Sequence, residues 1–244
     1  MQVKINKTFL VAARELKETF QDTRFVYTTV VTGLALPIFY AYISMSTVRA
    51  LPTGVASTMF PVWFLLSSIL PASFSMQLAL ASFVGEKENR TIEPLLAAPI
   101  SNRELFVGKV ISSFIPPLVL VAIVQAVFLG ASFGFARLKY RMPFSPDLAV
   151  IGRTALFVPL VILFMVACAV LLSARSTSMR SAQQVGAFIN LPIIFLVVYK
   201  APQILDIIGK SAPEVLAVGV AVNILLLRIG IRMFNRERIL TQIG

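Results

Sequence analysis

Residues 85–109 read GEKENRTIEPLLAAPISNRELFVGK, a charged island set between two long apolar runs. A chain that only had to cross a bilayer could join those runs with a few polar residues. This island instead holds Glu86, Lys87, Glu88, Arg90, Glu93, Arg103, Glu104 and Lys109, with Pro94 and Pro99 among them. Such a set offers charge-assisted hydrogen bonds beside a small apolar face, the chemistry of docking at a membrane surface. Groups for catalysis or metal binding are scarce. There is no histidine, which removes the usual proton shuttle and the commonest metal ligand. The single cysteine, Cys168, allows neither a disulfide framework nor a thiolate metal site within one chain. No catalytic, cofactor-binding or metal-ligating residue is assigned.

Local signals shape the island. Thr91 can cap a short helix over residues 91–98, with Pro94 tolerated in its first turn. Pro99 stops it, because the residue before a proline avoids helical geometry. Ser101 and Glu104 stand in the capping-box relation, so a second helix should start there and run through Lys109 into the next apolar run. A short helix held crosswise between two membrane helices suits the transmission of force. A plain structural loop fits these residues equally well.

The elements around the island are membrane spans. The chain is 57% hydrophobic and 14% charged, against roughly 25% charged in a soluble domain. Charge-free intervals lie between Arg24 and Arg49, Arg49 and Glu86, Lys109 and Arg137, Arg153 and Arg175, Arg180 and Lys200, and Glu214 and Arg228. About 20 apolar residues cross the hydrocarbon layer. The last interval reaches that length if Arg228 and Arg232 snorkel to the interface. The expectation is an all-α polytopic membrane protein with six transmembrane helices, near 27–48, 58–83, 110–135, 151–173, 184–200 and 213–232. In domain terms, 1–24 is an N-terminal amphipathic helix, 25–233 the transmembrane domain with the coupling segment 85–108, and 234–244 a tail.

Basic residues set the expected orientation. With the N-terminus inside, most of the 22 Lys and Arg residues fall in cytoplasmic segments. Both termini and the island are then cytoplasmic, in a multi-pass cell (plasma) membrane protein. The cluster Arg137, Lys139 and Arg141 falls outside, against the rule. The net charge of +11 reflects basic flanks meeting anionic headgroups, not nucleic-acid binding. Ahead of the first span, Ile5, Phe9, Ala12 or Ala13, Leu16 and Phe20 recur at spacings of three and four, with Lys7, Arg14, Lys17 and Glu18 mostly opposite. That pattern is an interfacial amphipathic helix, a simple anchor or a joint to a soluble partner.

Inside the spans, Gln77, Gln125, Asn190 and Asn223 are the polar candidates for a substrate pathway, though such groups more often hydrogen-bond between helices. Gly130 and Gly134 have the spacing for close helix approach. No Asp, Glu, Lys or Arg sits well inside a span, so an ion-coupled carrier lacks an evident site. Gly209-Lys210-Ser211 ends like a phosphate-binding loop, but Ile204 stands where the earlier glycine is required. Energy for transport would come from outside the chain.

The island resembles the corresponding loop of ABC type-2 permeases, the membrane subunits of ATP-binding-cassette exporters. The resemblance rests on Gly85-Glu86-Lys87-Glu88, then Thr91-Ile92-Glu93-Pro94-Leu95-Leu96-Ala97-Ala98-Pro99-Ile100-Ser101, then Glu104-Leu105 and Gly108-Lys109. Asn89-Arg90 departs from it, where glycine commonly precedes the threonine. The stretch from Arg14 to Phe20 is similar to the family's amphipathic N-terminal helix, and the one from Phe234 to Leu240 to its basic tail. The resemblance implies a permease subunit, not an enzyme, that forms the substrate pathway and works in efflux. Its partners would be a second permease chain in a homodimer, a cytoplasmic nucleotide-binding ATPase carrying ATP and Mg, and the lipid bilayer. It implies that Glu93, Leu95 and Leu96 form the ATPase contact face, with Pro94, Pro99, Ser101, Glu104 and Gly108 shaping the coupling segment. Glu86 and Lys109 would be its hinge ends, and Arg14, Lys17 and Glu18 secondary contacts. The alternative is an ATP-independent membrane carrier, channel or scaffold.

Overall fold

A computed structural model of the chain describes residues 7–21, 23–51, 53–85, 88, 100–173, 176 and 178–233. The described residues form helices α1 (Lys7–Gln21), α2 (Thr23–Ala50), α3 (Thr53–Leu80), α4 (Asn102–Gly134), α5 (Leu148–Ser173), α6 (Met179–Lys210) and α7 (Ala212–Met233). Two π-helical turns extend them, Ala81–Gly85 after α3 and Phe135–Lys139 after α4. Helices α2 to α7 are long and apolar enough to cross a membrane, matching the six expected spans. Glu86, Glu93, Pro94, Leu95, Leu96 and Pro99 of the island, Ile5, and the tail 234–244 lie outside the described residues.

Helix ends follow local chemistry. Ser101 caps α4: its hydroxyl accepts from the Glu104 N–H at 3.2 Å while the Glu104 carboxylate accepts from the Ser101 N–H at 2.8 Å, the reciprocal box its sequence spells. Asp147 opens α5 by accepting from the Ala149 and Val150 N–H groups. Between α6 and α7 only Ser211 intervenes, and Arg153 of α5 donates to the Gly209 carbonyl at 2.7 Å, satisfying an orphan acceptor of the last turn of α6. Expected near 184–200, α6 instead runs from Met179 to Lys210. Its charged end is carried on the helix surface by the Asp206–Lys210 pair at 2.9 Å, one turn apart.

Packing places α3 at the centre, against α2, α4, α5 and α6. One end of the bundle is filled by Leu80, Phe83, Phe106, Val166 and Val170, joined there by Val11 of α1. The other end is aromatic, with Phe60 and Phe64 of α3 against Phe128 of α4 at ring-centroid distances of 5.5 and 5.8 Å. Hydroxyls within the spans bond back to carbonyls three or four residues earlier, as at Ser67, Ser68, Ser73 and Ser112. That keeps polar groups satisfied where water is excluded. Helices α6 and α7 turn broad apolar faces outward, including Phe188, Phe195 and Leu225.

Helix α1 packs on α4 and leaves most of its apolar stripe exposed. The packed face holds Val11 and Ala12, while Phe9 is 70% and Phe20 53% exposed. The reason is Gly108. A Cβ there would lie 2.8 Å from both Val11 Cβ and Cγ1 and 3.1 Å from the Thr8 carbonyl oxygen, so only glycine admits α1 this close. Gly108→Val should therefore lower stability by about 1–3 kcal/mol, the usual range for overpacking. Gly152→Ala, whose Cβ meets nothing within 4 Å, serves as control. Thermal unfolding of the two variants in detergent checks this; equal midpoints would show that the α1–α4 contact is loose.

Candidate functional site

Lys109 is the eighth residue of α4, two turns inside the capping box, and its side chain is fully buried. A buried ammonium must spend three N–H donors on acceptors within the protein. It donates to Glu15 Oε1 of α1 at 2.9 Å, to the Ser82 carbonyl at 2.8 Å and to Ser82 Oγ at 3.2 Å. Ser82 Oγ in turn donates to Glu15 Oε2 at 2.7 Å, closing a ring of hydrogen bonds through three helical elements. Ser82 lies in the π-helical turn Ala81–Gly85 that leads out of α3. A cation beside that turn also complements the helix dipole. The Phe83 ring lies 5.6 Å from the ammonium and screens it from solvent.

The node therefore joins α1, the end of α3 and the start of α4 where the island connects those two helices. A second link starts in the island itself. Glu88 accepts a 2.6 Å hydrogen bond from the Met179 N–H at the start of α6, where a carboxylate is favoured by the helix dipole. The adjacent Ser178 hydroxyl accepts from the Ser181 N–H at 3.3 Å. Two contacts thus join the ends of this segment to the bundle, one at the start of α4 and one at the start of α6.

The structure separates the remaining candidates. On α1, Arg14 and Glu18 pair at 2.8 Å with both side chains more than half exposed, and Lys17 is exposed beside them. Among the pathway candidates, Gln125 donates to Ser68 Oγ of α3 at 3.1 Å. The Asn223 amide donates to the Leu160 carbonyl of α5 at 3.3 Å and to Gly219 within its own helix at 2.9 Å. Both reach a neighbouring helix, and Asn223 also lines a cavity of about 450 Å³ between α5, α6 and α7, where its Oδ1 has no hydrogen-bond partner among the described residues. Gln77 and Asn190 instead line one cavity of about 380 Å³ between α3 and α6, with Gln183 beside them. Asn190 Oδ1 is buried there without a hydrogen-bond partner among the described residues. No three Cys, Asp or Glu side chains gather there in a metal-binding group among the described residues.

No local pattern marks Glu15 and Ser82 as partners of Lys109, or Glu88 as a partner of α6. Each partner lies far along the chain, Lys109 being 94 residues from Glu15 and Met179 being 91 from Glu88. Lys109→Met should cost about 3–5 kcal/mol, because it strands the Glu15 carboxylate in a buried site. The double variant Glu15→Gln, Lys109→Met should recover much of that loss. Chemical or thermal unfolding of the set checks the coupling; strictly additive losses would show that the two residues do not act as a pair.

Comparison with known proteins agrees with this architecture. Residues 9–215 match the model of the ABC-2 family transporter protein family. The ABC transporter permease protein NatB of Bacillus subtilis (strain 168) is 31% identical over an alignment 156 residues long that covers 59% of this chain and 40% of NatB. The aligned stretch thus spans two fifths of that relative's length. With six helices able to span a bilayer and a family match over most of its length, the chain belongs to the ABC-2 transporter family, as a permease-type membrane component.

Proposed function

We propose that the chain is the transmembrane permease subunit of an ATP-binding-cassette exporter, forming the substrate pathway as a homodimer and driven by a separate cytoplasmic ATPase. The Glu15–Ser82–Lys109 node is the observation that carries this reading. It makes α1 and the roots of α3 and α4 one rigid piece at the point where a push on the island would enter.

In this scheme Glu93, Leu95 and Leu96 dock in a groove of the ATPase, while Glu86 and Lys109 mark the ends of the moving segment. Lys17 and the Arg14–Glu18 pair, exposed on α1, add contacts at the same surface. ATP and Mg bind and react in the partner, and closure of the ATPase pair displaces the island. Glu88 passes that displacement to the start of α6, and α6 forms one wall of the Gln77–Asn190 cavity. The path then opens outward, which sets export as the direction. Lys7, Arg14 and Lys17 on α1 and Arg180 at the start of α6 stand at the same end of the bundle, favouring a cytoplasmic face there in the plasma membrane.

The test is charge reversal at the docking face. In vesicles holding the permease with its ATPase, Glu93→Lys combined with Leu95→Asp should cut transport-coupled ATP hydrolysis at least tenfold. The protein should remain inserted and normally folded by its unfolding profile. Full coupling in that variant would remove the docking assignment and with it the exporter mechanism.

A further inference from the structure

At the end of the bundle opposite the node, four cations gather without countercharges. Arg49 ends α2, Arg137 and Lys139 lie on the π-helical turn after α4, and Arg141 follows it. All four are exposed, and none has a carboxylate in ion-pair range among the described residues. The acids at this end are otherwise engaged or distant in sequence: Asp147 caps α5, Asp206 pairs with Lys210, and Glu214 sits in the first turn of α7. Aromatic faces hold two of the cations in place. The Lys139 ammonium stands 4.3 Å from the Tyr42 ring centroid and 5.8 Å from that of Tyr140, and the Arg49 guanidinium lies 5.4 Å from the same Tyr140 ring.

The backbone here is specially shaped. Tyr140 donates to the Phe135 carbonyl and Met142 to that of Ala136, each at 3.0 Å, which closes the widened turn. Arg141 has φ of 48°, a left-handed conformation rare for a non-glycine residue. Both π-turns and such outliers are enriched at functional sites.

Deeper along the same face of α4 lie Gly130 and Gly134. Their spacing predicts close approach of another helix, yet a Cβ built on either meets nothing within 4 Å. Phe133 and Leu138 are exposed beside them, and Phe133, Gly134, Arg137 and Leu138 line an open recess of about 460 Å³. The surface thus runs from a smooth apolar groove to a cationic rim at the end of a membrane span.

We propose that this rim binds an anionic phospholipid, with its phosphodiester at Arg137 and Lys139 and one acyl chain along Gly130 and Gly134. Arg49 and Arg141 strengthen the local positive potential. A basic site at the headgroup level beside exposed apolar surface is what such a lipid recognises. A second copy packed on this groove by twofold symmetry would set Arg137 against Arg137 with no carboxylate to neutralise them. A bound anionic lipid also supplies the countercharge for a basic cluster on the face opposite the node. The leaflet follows from the orientation proposed above; the binding itself does not depend on it.

The full chain in detergent, given dioleoylphosphatidylglycerol, dioleoylphosphatidylcholine or inorganic phosphate, tests this by native mass spectrometry and thermal unfolding. Phosphatidylglycerol should be retained at least fivefold more than phosphatidylcholine and raise the unfolding midpoint, while phosphate alone does neither. Arg137→Gln with Lys139→Gln should abolish the preference, and the charge-preserving Arg137→Lys with Lys139→Arg should keep it. Gly134→Leu, with every charge intact, should reduce retention by filling the groove. Equal retention of the two lipids, or an unchanged preference in the Gln variant, overturns the proposal. So does phosphate matching the lipid, which marks a simple anion site, or Gly134→Leu changing the oligomer's mass without changing lipid retention, which marks a protein interface. Because ATP hydrolysis is not read, failure here leaves the exporter reading standing, and failure of that reading leaves this one.

Discussion

An ammonium sealed from water has to find acceptors for its protons, and the placement of α1 follows from how Lys109 does so. Glu15 supplies the countercharge from α1, Ser82 supplies a carbonyl and a hydroxyl from the end of α3, and the three elements cannot separate without stranding a charge. Gly108, one residue earlier, makes the approach short enough for the pair to form. Without the glycine the carboxylate could not reach; without the carboxylate the lysine could not stay buried. The buried ion pair is better understood as a device for holding one geometry than as a large source of stability, since desolvation offsets much of its Coulombic gain.

Many polar groups elsewhere in the bundle are satisfied within the protein, while Ser44, Ser113 and Ser132 Oγ and Asn223 Oδ1 are buried without a hydrogen-bond partner among the described residues. Serines in the spans fold their hydroxyls back onto their own helices, and Gln125 and Asn223 reach across to neighbours. The α3–α6 side is different. Gln77, Gln183 and Asn190 face a shared cavity, and Asn190 Oδ1 has no partner among the described residues. Glu88 accepts a hydrogen bond from the start of α6, the helix that forms one wall of that cavity.

Much of this was legible in the residues. Charge-free intervals long enough for a bilayer located six spans, and the box at Ser101 and Glu104 located the start of α4. Other features depend on the bundle. Helix α6 does not end at Lys200 but continues to Lys210, where the Asp206–Lys210 pair carries the added charge on the helix surface. The apolar stripe of α1, expected at the membrane interface, leaves Phe9 and Phe20 exposed, while Val11 and Ala12 pack on α4. Gly130 and Gly134 have the spacing of a helix contact, and among the described residues nothing lies within 4 Å of a Cβ built on either.

By itself the sequence determined that the chain has six segments long and apolar enough to span a membrane, that a charged segment lies between the second and third, and where the main helix start beyond that segment lies. These properties depend on composition over about 20 residues or on neighbours three or four apart. Tertiary structure alone decided that Lys109 is buried, that Glu15 and Ser82 hold it, that Glu88 accepts from the Met179 N–H at the start of α6, and that Gln77 and Asn190 share a cavity while Gln125 and Asn223 bond to neighbouring helices. Those are pairings across the width of the bundle. They depend on which helix faces meet, and no local periodicity records that.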